Sequence, residues 1–132
     1  SAWAWIEAHR KTATSDIFRY RFDRAPKTPK GWFPEGANAG AFHSCEILYM
    51  FNNLDAFPWL VDEHDQHVAD TMSAYWINFI KTGNPNDGKL ARWPSYRDDM
   101  RPVMVIDTNL QIIPDIDRAR HDFLAKIVSA RK

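Results

Sequence analysis

The tightest constraint on the fold is a short alternating run near the start of the chain. Phe18, Tyr20 and Phe22 share one parity and Arg19 and Arg21 the other, the period-two pattern of a strand over 17–23. An aromatic face of this kind has to be covered by a helical layer, while the arginine face must be wet or supplied with carboxylates. The arginines read as a solvated face rather than a substrate clamp.

Two later runs can supply the helical layer. Val68, Met72, Tyr75, Trp76, Phe79 and Ile80 recur at three- and four-residue steps, which predicts a long helix over 62–82. Its acidic first turn (Asp62, Glu63, Asp65) suits the positive end of the helix dipole, and Gly83 followed by Asn84-Pro85 stops it. A final helix over 115–129 is expected to start from Asp115 as its cap, with Ile116, Ala119, Phe123, Leu124, Ile127 and Val128 as the apolar stripe. An opening helix over 3–12 carries Trp3 and Ile6 at helical spacing. No side chain is aimed at its first turn, so the native chain is expected to continue upstream.

Val103-Met104-Val105-Ile106 and Leu110-Gln111-Ile112-Ile113, joined through Asp107-Thr108-Asn109, predict a hairpin over 102–113. Pro102 and Pro114 bracket it and argue for the edge of a sheet rather than its middle. The fold class is therefore α/β, with about three helices, one strand near the N-terminus and a late edge hairpin. Two or three strands on such long connections do not complete a sheet, so the expectation is one part of a larger fold.

Composition excludes several partners. Seventeen basic and seventeen acidic residues cancel and are interspersed, leaving no electrostatic footprint for nucleic acid or an anionic membrane. Nor does any apolar run approach the ~20 residues that span a bilayer. A single cysteine, Cys45, rules out an internal disulfide and leaves the compartment open.

The chemistry is expected in the irregular passage over 24–61. Pro26, Pro29, Pro34, Gly31, Gly36 and Gly40 prevent regular structure in its first half, while Trp32-Phe33 argue that it is ordered. The passage contains His43, flanked by Gly40, Ala41, Ser44 and Cys45 and placed between the strand and the long helix. Open α/β sheets keep their active sites on loops beyond the C-terminal ends of strands. A loop imidazole with an ordinary pKa near 6.5 can take a proton from a hydroxyl and return it, provided a carboxylate orients its other nitrogen. Taken alone, a lone loop histidine is more often structural than catalytic.

The flanking residues add to this. Gly40-Ala41-Phe42-His43-Ser44-Cys45-Glu46-Ile47-Leu48-Tyr49-Met50-Phe51 resembles the histidine segment of the type-B carboxylesterase and cholinesterase family of α/β-hydrolases, whose pattern runs G-x-x-H-x-x-E-[IL]-x-[YF]-[VM]-F. Residues 70–86, from Asp70-Thr71-Met72 to Thr82-Gly83-Asn84-Pro85-Asn86, resemble the next family block and Trp93-Pro94-Ser95-Tyr96 the one after. The three blocks stand in family order and cover most of 17–124, a likeness to the last quarter of such an enzyme.

The resemblance implies the C-terminal part of an α/β-hydrolase domain of a serine carboxylesterase that needs no cofactor and no metal. The family's triad runs Ser, then Glu or Asp, then His along the chain, and His43 matches the last member. The G-x-S-x-G elbow and a Gly-rich oxyanion loop are absent, and no acid upstream of His43 matches the family's acid. These parts would lie on a missing N-terminal portion, which with a small ester substrate is the expected partner; the chain alone is predicted to be inactive. Glu46 matches an acidic position of the family and would support the loop without being the triad acid. Ser44 stands where the family has Gly or another small residue, and Cys45 is a mild departure. Phe42, Phe51, Trp32 and Phe33 are candidates to line the acyl or alcohol pocket, against a plain core role.

Other groupings read more simply. His64-Asp65-Gln66-His67 is expected to be a solvated helix start rather than a metal site, for want of a third ligand. Cys45 is a buried bystander rather than a nucleophile, since neighbours on an extended loop point apart. The alternative function is a non-catalytic domain that self-associates, as a homo-oligomer, through unpaired strand edges.

Overall fold

The computed structural model describes residues 2–32, 34, 39–97 and 100–130. In chain order its elements are α1 (Ala2–Thr12), β1 (Tyr20–Phe22), α2 (Glu46–Met50), α3 (Asp65–Thr82), β2 (Pro102–Ile106), β3 (Gln111–Pro114) and α4 (Arg118–Ala130), with two 3-10 turns at Leu54–Ala56 and Pro58–Leu60. The three strands form one sheet in the order β1-β2-β3. β1 runs parallel to β2, with Tyr20 opposite Met104 and Phe22 opposite Ile106. β2 runs antiparallel to β3, with Val103 opposite Ile113.

The hairpin forms but does not sit wholly at an edge. β2 is the central strand and all five of its residues are buried, while β3 is mostly exposed and is the edge. Pro102 is compatible with a central strand because it occupies the first position, where one missing donor disturbs the ladder least. The unbroken Val103–Ile106 run is the pattern of a strand covered on both faces.

The parity of the first strand holds. Phe18, Tyr20 and Phe22 pack against a core built from Tyr49, Val68, Met72, Tyr75, Trp93, Met104 and Ile106. Its ladder proper is short, but the hydrogen bonds continue at both ends, from Met104 N to Arg19 O (3.0 Å) and from Asp23 N to Ile106 O (2.9 Å). The arginine face is supplied with carboxylates, enclosed at Arg19 and still solvated at Arg21. Arg19 pairs with Asp115 at 2.6 Å and Arg21 with Asp23 at 2.6 Å.

Helix α3 buries Val68, Ala69, Met72 and Tyr75 and ends at Gly83, whose φ of +76° is the left-handed conformation that closes a helix; its N–H donates to Phe79 O at 2.7 Å. It begins at Asp65, later than the spacing predicted, because Asp62 folds its carboxylate back onto His64 N at 2.9 Å. The last two members of its stripe, Phe79 and Ile80, are 48% and 78% exposed. The α4 stripe is likewise uncovered among the described residues, with Phe123 and Val128 each 62% exposed. Asp115 does not cap α4 with its side chain, which instead accepts the Tyr96 hydroxyl at 2.6 Å and pairs with Arg19.

Candidate functional site

Glycine and one serine shape the turn that carries His43. The chain leaves β1 through Asp23 and Arg24, is held at Lys27 N by Leu60 O (2.9 Å), and turns at Gly31 with φ +91°. At Gly40 φ is +58° and at Ser44 it is +68°. Between them Cys45 N donates to Phe42 O at 3.1 Å, closing a tight turn, and Ile47 N donates to Ser44 O at 3.2 Å as α2 begins. A left-handed Ser44 is costly for a residue with a Cβ and suits glycine, which is why a small residue is needed beside the histidine.

His43 stands exposed on this turn, and among the described residues its imidazole has no hydrogen-bond partner. Cys45, two residues on, is 4% exposed. Burial pushes its thiol up to about 11, with the charge of Glu46 adding to the effect, so at neutral pH it is an un-ionised thiol. Glu46 is half-buried in the first turn of α2, and its charge adds to the burial that raises Tyr20 on β1.

The aromatic pocket candidates are dispersed. Phe42 is half-buried, Trp32 is 57% exposed, and Phe51, at the end of α2, is 70% exposed; Phe33 lies outside the described residues. A groove of about 140 Å³ does exist between β1 and α3, walled by Phe18, Tyr20, Tyr75, Trp76, Phe79, Pro85 and Trp93, and it includes none of these candidates.

Sequence reasoning missed a charged cluster at the start of α3. Asp65, expected in a solvated helix start, has no exposed surface. Its Oδ1 accepts Arg24 Nε at 2.6 Å and the Tyr49 hydroxyl at 2.8 Å, and its Oδ2 accepts the N–H of Asp62 at 2.5 Å. Arg24 Nη2 also reaches Asp62 at 2.5 Å. The hydrogen bond to Asp65 raises the guanidinium pKa, while burial first and the Asp65 bond second raise that of Tyr49. Each residue type was visible in the sequence, but their spacing gave no sign that they meet.

The arrangement is an exposed imidazole on a hydrogen-bonded turn, able to exchange a proton with a hydroxyl brought to it from outside. Comparison with known proteins adds the context. The model of the carboxylesterase family matches residues 2–124. Para-nitrobenzyl esterase of Bacillus subtilis is 31% identical over 103 residues, which is 75% of this chain and 19% of that protein. Human bile salt-activated lipase is 36% identical over 95 residues, 69% of this chain and 12% of that protein. A solved structure of a PNB esterase superposes with a TM-score of 0.72 at 27% identity, covering 92% of this chain and 24% of the other. The chain thus spans only a minor part of the length of the relatives it matches.

Proposed function

The chain belongs to the carboxylesterase family and its fold is part of an α/β-hydrolase; from that premise we propose that it is the C-terminal segment of a serine carboxylesterase, in which His43 is the general acid and base. A serine supplied by the rest of the enzyme attacks the ester carbonyl while His43 takes its hydroxyl proton. The tetrahedral intermediate collapses, the C–O bond to the alcohol breaks, and His43 returns the proton to the departing alkoxide. Water then attacks the acyl-serine with His43 again as base, releasing the acid and restoring the serine. The carboxylate that orients the second ring nitrogen, and the oxyanion hole, are contributed by the same absent portion.

The observation that carries this reading is the exposed His43 ring on a left-handed turn leading into α2. Ser44 and Glu46 are assigned to supporting the turn, and Phe42, Trp32 and Phe51 to the substrate side. Mixing the chain with a polypeptide that supplies the upstream family segments tests it: esterase activity towards a short-chain aryl ester should emerge only from the mixture. Hydrolysis by the 132-residue chain alone, with burst kinetics, would place the nucleophile within it and overturn the proposal.

A second reading, a self-associating domain with no catalysis of its own, is favoured by Ile80, Phe123 and Val128, which are 78%, 62% and 62% exposed. It describes the chain by itself and is compatible with the first.

A further inference from the structure

The passage that carries His43 is fastened on both sides of the histidine to one oxygen atom. Arg24 opens the passage, and Tyr49, on α2, follows His43 within it. Arg24 Nε and the Tyr49 hydroxyl donate to the same Oδ1 of Asp65, at 2.6 and 2.8 Å. The side chains are almost fully enclosed, Asp65 with 0% and Arg24 with 14% of its surface exposed. Phe22 adds a ring contact to Tyr49, centroids 5.0 Å apart, so α2 is tied to β1 as well as to α3.

A buried ion pair is a poor device for stability alone, because apolar residues of the same volume hold elements together at least as well. It differs from an apolar patch in direction: a carboxylate oxygen shared by a guanidinium and a phenol fixes where both donors stand. His43 lies only six residues before Tyr49 in the chain, across the turn and one turn of α2. A displacement of about 1 Å in a catalytic group costs on the order of 100-fold in rate.

We propose that Asp65, with Arg24 and Tyr49, is a positioning device for the His43 turn, acting on catalysis through geometry without touching substrate. This rests on the reading of His43 as the general base. It assigns the buried acid at the start of α3 a role in turnover that neither its position in the helix nor its distance along the chain suggests.

The test is made in the complete enzyme containing these residues, with Tyr49→Phe, Asp65→Asn and, as reference, His43→Ala, each assayed on a short-chain aryl ester well below its own melting temperature. Tyr49→Phe removes a single hydroxyl and is the variant to rely on if Asp65→Asn does not fold. The expected result is a fall in kcat of about 10-fold for Tyr49→Phe and about 100-fold for Asp65→Asn, with KM within about twofold of the parent in both. Unchanged kcat in folded Tyr49→Phe and Asp65→Asn, with only a lowered melting temperature, would reduce the cluster to a structural role while His43→Ala still abolished turnover. Should His43→Ala itself keep its kcat, the reading of His43 fails and this inference with it.

Discussion

Arg24 Nε lies 2.6 Å from Oδ1 of Asp65, a carboxylate with no exposed surface. Removing one member of such a pair leaves the other buried and uncompensated. Arg24→Met is therefore expected to cost about 3 to 5 kcal/mol, read as a lower urea midpoint at an unchanged slope. A loss below about 1 kcal/mol would mean that solvent reaches the carboxylate and replaces the guanidinium.

All four tyrosines, Tyr20, Tyr49, Tyr75 and Tyr96, have pKa values raised above the ordinary 10.0, with burial the leading cause in each. A raised folded-state value means that the folded chain holds the phenolic proton more tightly than the unfolded chain does. The associated stability is fully present below pH 10 and is lost as pH climbs through the raised values. Tyrosinate absorbance should therefore lag behind free tyrosine and rise together with loss of the fold. Titration of any tyrosine near its ordinary value with the structure intact would contradict this.

Ser44 holds φ at +68°, where an L-residue is strained by about 1 to 2 kcal/mol. Ser44→Gly relieves that strain and loosens the unfolded chain by about 0.5 to 1 kcal/mol, so its denaturation midpoint should match or slightly exceed the parent. Ser44→Val, β-branched in the same conformation, should lose about 2 kcal/mol. The opposite order would mean that the serine side chain, and not its backbone, is what the turn requires.

The local signals in the sequence were sound wherever chain-neighbour spacing decides the structure. The Phe18-Tyr20-Phe22 parity and the Val68-Met72-Tyr75 stripe each name a buried face, and Gly83 marks the end of α3. Where distant residues decide, the sequence was silent or misleading. Pro102 and Pro114 suggested an edge, yet β2 becomes central because β1 pairs with it from far upstream. Asp115 looked like a cap and is instead taken by Arg19 and Tyr96. Helix α2 was hidden because five residues, Glu46–Met50, are too few for a period to show. The spacing of Phe79, Ile80 and Phe123 names an apolar face but not what covers it. In the site, the His43 turn was legible from its small neighbours, while the Asp65 cluster at the start of α3 was not.

The apolar surface left uncovered has its own consequence. Ile80 and Phe123 are 78% and 62% exposed, and the 132-residue chain by itself is expected to self-associate at micromolar concentrations. Ile80→Glu with Phe123→Glu should shift sedimentation velocity profiles towards monomer at little cost in stability. Parent chain that sediments as a strict monomer would count against self-association.

The role of His43 is tested most directly by His43→Ala in the complete enzyme, comparing steady-state turnover of a short-chain aryl ester with that of the folded parent. The expected result is a fall in kcat of about 10³-fold or more, because the serine loses its base. A folded variant that keeps kcat within about tenfold of the parent would show that another group moves the proton.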